Sequence, residues 1–88
     1  MPLSDLAIRN LKPQAEPYKR GDSGGLHIYV TPTGSRLWRW KYRYAGKEKT
    51  LSIGAYPTIT LAKAREARDA ARALLAEGID PSSHKRDA

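Results

Sequence analysis

Three segments of the chain alternate apolar and polar residues with the two-residue period of a β-strand. They are LHIYVT at 26–31, RLWRWKYRYA at 36–45 and KTLSI at 49–53. From residue 38 onward, one phase of the middle segment is aromatic, and the other phase carries Arg39, Lys41 and Arg43. The pattern predicts an antiparallel sheet with residues 37–45 as its central strand. Trp38 and Trp40 are then buried, and the cations lie on the opposite face.

The three segments also fit one another in an antiparallel register. A two-residue loop at 46–47 places Tyr42 opposite Leu51, and a loop at 32–36 places Val30 opposite Trp38. Each apolar residue then meets an apolar partner, as a buried sheet face requires. The opposite face of this predicted sheet carries His27, Tyr29, Arg39, Lys41, Arg43, Thr50 and Ser52.

Residues 61–77 have the composition and the end signals of an α-helix. Thr60 is a suitable N-cap, and Gly78 is suited to the position that ends a helix. The apolar stripe of the segment is mostly alanine, so this helix can lie close against bulky indoles on a sheet. Arg65 and Asp69 are four residues apart and are expected to form an exposed ion pair.

The N-terminal quarter of the chain contains one short helical signal and a loop. LSDLAIRNLKP, at 3–13, predicts a short helix or turn capped by Ser4, with apolar residues at one edge of the core. PQAEPYKRGDSGG, at 13–25, reads as loop because it is rich in proline and glycine. The predicted fold is α+β, a three-stranded antiparallel sheet packed on one face by a C-terminal helix (β-β-β-α).

The run GDSGG at 21–25 is similar to the sequence around the nucleophilic serine of chymotrypsin-like proteases, which makes Ser23 a candidate nucleophile. His27 follows four residues later in a strand, and four extended residues span about 13 Å, too far for a hydrogen bond. His84 lies in a polar tail, and 88 residues are too few for the two barrels of such a protease. The run is better explained as a turn that leads into the first strand.

Composition limits the protein to a small domain without covalent or metal crosslinks. The chain has 88 residues and no cysteine, and its two histidines are far apart, which argues against a disulfide or a metal site. No cofactor is expected. No segment is apolar enough to span a bilayer and no signal peptide begins the chain, so we expect a soluble cytosolic protein.

The chain is strongly basic, and the excess of positive charge lies in its first half. Sixteen Lys and Arg against nine Asp and Glu give a formal net charge of +7. Ten of the basic residues and only four of the acidic ones lie in the first 50 residues, where the cationic strand also lies. A polyanion is therefore the expected partner. Arginine, lysine, histidine and hydroxyl groups on an uncovered sheet suit contacts with base edges and phosphates, and a sheet of this width fits the major groove of DNA.

Several runs together resemble one known family, the N-terminal arm-type DNA-binding domain of phage-like tyrosine recombinases, the prophage integrases. They are LSDLAIRNLKP, DSGGLHIYVTPTGSRLWRWKYRYAGKEKTLSIGAYP and TLAKARE, in this order. The resemblance covers nearly the whole chain, and the block from GKEKTLSIGAYP to LAKAR is its most specific part. It implies that the sheet docks on double-stranded DNA at arm-type sites, away from the crossover point, in a bacterial cytoplasmic and nucleoid-associated protein.

The resemblance also implies a division of labour within a longer integrase. Strand exchange belongs to a separate C-terminal domain, so residues 1–80 are expected to be a non-catalytic DNA-binding domain and residues 81–88 the start of a linker. Other integrase protomers are further expected partners. The predicted DNA-contacting residues are His27, Tyr29, Arg36, Arg39, Lys41, Arg43, Lys47, Lys49, Thr50 and Ser52.

Two other functions remain open from the residues alone. Exposed Tyr29 and His27 could stack on unpaired RNA bases. Alternatively, a basic helix face formed by Arg65, Arg68 and Arg72 could contact a neighbouring protomer or another acidic partner.

Overall fold

An antiparallel sheet with one helix across one of its faces makes up most of the computed structural model, which describes residues 3–82. The elements are α1 (Asp5–Arg9), β1 (Tyr18–Gly21), β2 (Leu26–Val30), β3 (Arg36–Tyr44), β4 (Lys47–Ala55) and α2 (Leu61–Ala76). The strands are ordered β1-β2-β3-β4, and each pairs antiparallel with the next. The α+β class is confirmed, but the sheet has four strands rather than three.

The additional strand, β1, lies in the segment that was expected to be loop. It pairs with β2 from Tyr18 opposite Val30 to Gly21 opposite His27. Because β1 has four residues and only its tyrosine is even half-buried, it lacks the apolar alternation that identifies a strand in sequence. Backbone pairing and the glycine turn after it hold it in the sheet.

Both tryptophans lie in the core between the sheet and α2, as predicted. Trp38 is 0% exposed and Trp40 is 3% exposed. Their indole nitrogens donate to the carbonyls of Ile59 and Gly24, each at 2.7 Å. No buried polar side-chain atom within residues 3–82 lacks a hydrogen-bond partner. The α2 contribution to this core is small in volume, since its buried residues are Leu61, Ala64 and Ala71.

The register of the two predicted hairpins was wrong by two residues. Trp40 lies opposite Leu26 on one side and Leu51 on the other, rather than opposite Ile28 and Ile53. The β3–β4 turn is Ala45–Gly46, both with positive φ, instead of residues 46–47. A bulge between Trp38 and Arg39 then leaves the extra residue on β4.

The β2–β3 loop is also shorter than predicted, because local hydrogen bonds close it early. Thr31 pairs with Ser35 through the Thr31 N–H to Ser35 O bond at 2.9 Å, and the Thr31 hydroxyl accepts the Ser35 N–H at 3.0 Å. Gly34, with φ of 96°, completes this tight turn. An even-numbered shift keeps the side chains of the three predicted strands on their predicted faces, so the buried and exposed faces were predicted correctly despite the register.

The helix ends follow the sequence signals closely. Ser4 and Thr60 accept N–H bonds from Ala7 and Lys63, as N-caps do. The α2 helix ends one residue before the predicted end, with Gly78 in the left-handed conformation after it. In α1, Ile8 is fully buried as part of the core edge. Neither helix within residues 3–82 is long and apolar enough to cross a membrane.

After three exposed residues beyond α2, the chain packs against the sheet again at residues 80–82. Asp80 and Pro81 are buried, and Ser82 is within 2.7 Å of the Tyr42 hydroxyl. The expected linker therefore begins in contact with β3. His84 and the rest of residues 83–88 lie outside the described residues.

Asp22, within the GDSGG run, joins the N-terminus to α2. Its carboxylate is inaccessible to solvent and accepts from Arg65 at 2.9 and 3.0 Å and from the Leu3 N–H at 2.7 Å. The predicted Arg65–Asp69 pair was wrong, because Arg65 turns to this buried carboxylate and Asp69 pairs with Arg68 instead. Ser23 is a turn residue whose hydroxyl accepts from Arg68 at 2.9 Å.

This buried carboxylate predicts a specific acid sensitivity. The Arg65 hydrogen bonds, with help from the Leu3 N–H, lower the pKa of Asp22 from 3.8 to about 2. The stabilisation that ionised Asp22 gives the folded state is therefore fully present above about pH 4, and it is lost as the pH falls toward 2. At pH 7, Asp22→Asn should lower the free energy of unfolding by about 2–3 kcal/mol. Urea unfolding of both proteins at several pH values should show this difference narrowing below pH 4.

The matched control for this experiment is Asp69→Asn, which removes a carboxylate that is 63% exposed. It should change the urea midpoint little at any pH, because exposed ion pairs contribute little to stability. A difference between wild type and Asp22→Asn that stays constant from pH 7 to pH 3 would contradict the assigned role.

Candidate nucleic-acid interface

The sheet face that α2 leaves uncovered, here called the open face, collects the central residues of the predicted site. Cross-strand pairs bring His27 opposite Arg39, and Arg39 opposite Ser52 on the far side. Lys41 lies opposite Thr50 in the same phase. Seven predicted residues share this face: His27, Tyr29, Arg39, Lys41, Arg43, Thr50 and Ser52. All seven are half-buried or exposed.

Arg39 is held in a defined orientation on the open face. Its guanidinium carbon lies 4.4 Å from the centre of the Tyr29 ring, in a cation–π contact between β2 and β3. A guanidinium that rests on an aromatic ring keeps its N–H edge available for a planar acceptor, and less side-chain freedom is lost when it binds. Tyr29 therefore supports Arg39 on this face.

His27 presents one hydrogen-bonding nitrogen to solvent. Its Nδ1 lies 3.2 Å from the Gly25 carbonyl oxygen. Because a carbonyl only accepts, Nδ1 carries the hydrogen, and Nε2 of the neutral ring is an acceptor. Burial lowers the pKa of His27, and the nearby positive charges of Lys19, Arg39 and Lys41 lower it further. The neutral form is therefore favoured at pH 7.

Three predicted contact residues do not join the open face. Lys49 is in the opposite phase of β4, and its ammonium pairs with the buried carboxylate of Asp80. This contact raises the pKa of Lys49 and lowers that of Asp80. Arg36 is the first residue of β3, and its guanidinium lies 5.7 Å from the Tyr56 ring centre. Lys47 begins β4 opposite Tyr44, beside the hairpin turn.

Two charged residues that the sequence reasoning missed lie on the open face. Lys19 of β1 is opposite Tyr29, and Glu48 of β4 is opposite Arg43. The Glu48 carboxylate forms an ion pair with Lys41. The sequence signal for Glu48 was its position two residues before Thr50, in the same phase. The signal for Lys19 was weaker, because β1 itself was not recognised.

The centre of the open face is a shallow depression of about 530 Å³. It is lined by Pro17, Lys19, His27, Tyr29, Arg39, Lys41, Glu48 and Thr50. Within residues 3–82, no group of three or more His, Asp or Glu side chains comes together in a way that could hold a metal ion. The chemistry offered here is cationic and hydrogen-bonding.

Comparison with known families identifies a domain of matching character. The family model described as the arm DNA-binding domain matches residues 3–88. The chain belongs to this family. The resemblance inferred from its sequence is thus confirmed, and with it the expectation that this arm DNA-binding domain has DNA as its partner.

Its relatives include phage and prophage integrases. The domain is 43% identical over 90 residues to the integrase of Enterobacteria phage P4, which covers 100% of this chain and 20% of that protein. It is 40% identical over 79 residues to the prophage integrase IntS of Escherichia coli strain K12, covering 90% of this chain and 20% of IntS. The putative protein IntB of the same strain is 55% identical over 62 residues, 70% of this chain and 16% of IntB. The arm DNA-binding domain therefore spans a fifth or less of these curated relatives.

Proposed function

We propose that the open face is the surface with which this domain binds duplex DNA, at arm-type sites of a prophage integrase. The observation that supports this most is the cluster of Lys19, Arg39, Lys41 and Arg43 on the one sheet face that α2 leaves uncovered. A cationic face without a covering helix can approach a polyanion closely.

The major groove is the proposed docking site. Alternate residues of a strand stand about 7 Å apart, so Arg39, Lys41 and Arg43 can reach successive bases or phosphates. Arginine recognises guanine with two hydrogen bonds, and the ring of Tyr29 already orients Arg39 for such a contact. Thr50, Ser52 and the Nε2 atom of His27 add groups that recognise base edges or phosphate oxygens.

The role in the longer protein is also a proposal. We infer that this domain is a non-catalytic part of a site-specific tyrosine recombinase, and that it positions the enzyme on DNA for integration or excision. The catalytic tyrosine would lie in the part of the protein that this chain does not span. Contacts with other integrase protomers would arise in the full assembly on DNA.

The test is a binding titration with the predicted contacts removed. A preferred duplex is first selected from a random pool, and its affinity for the protein is measured by fluorescence anisotropy. Arg39→Ala combined with Arg43→Ala should weaken binding about 30-fold, or about 2 kcal/mol, and should reduce sequence preference. Wild-type binding should weaken with salt at a log-log slope near −3.6, if about four phosphates are neutralised.

The control removes two positive charges from the opposite side of the domain. Lys63→Ala combined with Arg72→Ala changes exposed residues of α2 and should leave sequence preference unchanged. Arg65 and Arg68 are unsuitable for this purpose, because both engage Asp22 and the adjoining turn. If the α2 variant loses duplex binding while the sheet variant keeps it, the open face is not the DNA surface. Tighter binding to single-stranded RNA than to duplex DNA would instead favour the RNA alternative.

A further inference from the structure

The open face contains one residue whose charge opposes its proposed use. Glu48 is the only acidic residue in the four strands. It lies opposite Arg43 in the sheet, and its carboxylate pairs with the ammonium group of Lys41. A negative group thus stands between two cations that are proposed to contact DNA.

Fold stability gives little reason for a carboxylate at this position. The side chains of Glu48 and Lys41 are both 52% exposed. Ion pairs this exposed contribute little to stability, because water screens both charges and ordering two long side chains costs entropy. Glu48 makes no other ion pair within residues 3–82, and it caps no helix. Because its ion pair with Lys41 is exposed, the carboxylate can also accept a hydrogen bond from a molecule that docks on the open face.

A carboxylate on a DNA-binding face favours hydrogen-bond donors next to it and repels acceptors. Ionised Glu48 can only accept hydrogen bonds, so a phosphate oxygen or the acceptor edge of guanine is repelled. In the major groove, the exocyclic amino groups of cytosine and adenine are the base donors. Of these, the cytosine amino group is the usual partner of a carboxylate. Close docking beside Glu48 thus depends on the base at that point.

We propose that Glu48 is a specificity-determining residue, which accepts a hydrogen bond from a base amino group, preferably of cytosine, and disfavours duplexes that lack it there. Selectivity arises because wrong sequences leave the carboxylate against other acceptors. Lys41 holds the carboxylate in place on the face until DNA docks. This inference rests on the proposed function of the open face.

The test compares Glu48→Gln with wild type on selected and random duplexes. The neutral amide removes the repulsion, so affinity for random duplex should rise by about tenfold. Affinity for the selected duplex should change by less than about threefold, and discrimination should fall accordingly. Selection from a random pool with Glu48→Gln should relax the preference at one position, where the wild-type protein selects an amino-bearing base.

Glu66→Gln is the matched control, since it makes the same charge change at an exposed position of α2. It should raise both affinities slightly and equally, through the net charge alone. Urea midpoints of both variants should match that of wild type, which separates a binding effect from a folding effect.

The results of these experiments distinguish a failure of the proposed role of Glu48 from a failure of the proposed DNA surface. If wild type shows no preference for duplex DNA, or keeps it after Arg39 and Arg43 are replaced, the proposed DNA surface is wrong. If wild type selects a sequence through those arginines, but Glu48→Gln selects the same sequence with the same discrimination, only the role of Glu48 is wrong. An equal rise of both affinities in Glu48→Gln and Glu66→Gln would also overturn that role.

Discussion

Replacing Trp40 with alanine should lower the free energy of unfolding by about 3–5 kcal/mol. The indole is 3% exposed and stacks on Tyr42, with ring centres 4.9 Å apart and planes within 11°. Its Nε1–H also donates to the Gly24 carbonyl at 2.7 Å, so the substitution leaves both a cavity and an unpaired carbonyl. A small domain has only about 5–15 kcal/mol of stability, so a large share of it would be lost.

Urea unfolding followed by circular dichroism measures this effect. Trp40→Phe should cost less than alanine, because it keeps a ring beside Tyr42 and loses mainly the hydrogen bond. Leu6→Ala should change stability by no more than about 0.5 kcal/mol, since Leu6 is 65% exposed. If Trp40→Ala unfolds at the same urea concentration as Leu6→Ala, then Trp40 does not hold the sheet to α2 and the Gly24 turn.

The two faces of the sheet could be predicted because alternation depends only on local sequence. The aromatic phase of β3 has to be buried, since no other segment supplies comparable apolar area, and α2 offers the alanines that fit over it. The same reasoning placed Arg39, Lys41 and Arg43 on the open face. An error of two residues leaves such a prediction intact, because both choices preserve the phase.

The register could not be predicted from apolar matching, because more than one register satisfies it. Moving β4 by two residues exchanges Leu51 for Ile53 opposite Trp40, and both choices bury an aliphatic side chain. Backbone turn chemistry decides between them, through the positive φ of Ala45 and Gly46. An alanine in the left-handed conformation is uncommon, so the sequence favoured a turn with glycine in its first position.

The wrong β3–β4 register also changed the predicted position of Glu48 on the open face. In the predicted register, Arg43 lay opposite Thr50, and Glu48 lay opposite Ala45 beside the turn, away from the cations. In the structure, Arg43 lies opposite Glu48, and the carboxylate reaches Lys41. A two-residue shift thus preserved the cationic character of the face but concealed its single acid.

Long-range polar contacts could not be predicted from the sequence, for a different reason. Asp22 and Arg65 are 43 positions apart, and nothing in the local pattern of either residue indicates the other. The same holds for Asp80, which accepts from Tyr42 and pairs with Lys49. Such partners depend on where the completed fold brings chain segments together. Arg65 and Lys49, both assigned to solvent or DNA by local pattern, therefore have intramolecular partners.

The residues of the GDSGG run, at 21–25, make contacts with α2, with the core and with the open face. Asp22 binds Arg65, Ser23 contacts Arg68, and the Gly24 carbonyl accepts from Trp40. The Gly25 carbonyl accepts from the Lys41 N–H at 3.0 Å and from the His27 ring. This turn thus links the core to the open face, and its geometry is set by glycine.

Gly25→Ala should accordingly lower the free energy of unfolding by about 3 kcal/mol or more. Gly25 has φ of 89°, which alanine adopts only with strain. An added Cβ would also lie 2.6 Å from the Lys41 backbone oxygen and 3.2 Å from Trp40 Nε1. Backbone cannot move aside without breaking the pairing of β3, so the clash adds to the conformational cost.

Gly34→Ala is the control that separates the two costs. Gly34 has φ of 96°, but an added Cβ there meets no other atom within 4 Å. This variant should lose only about 1–2 kcal/mol, the cost of the left-handed conformation alone. Urea unfolding of both variants provides the comparison, with duplex affinity measured under native conditions.

Because Gly25 also positions His27 and Lys41, Gly25→Ala should weaken DNA binding even where it remains folded, whereas Gly34→Ala should not. Equal stability of the two variants would show that the turn yields to a side chain, and that close packing of Gly25 on β3 does not set its geometry.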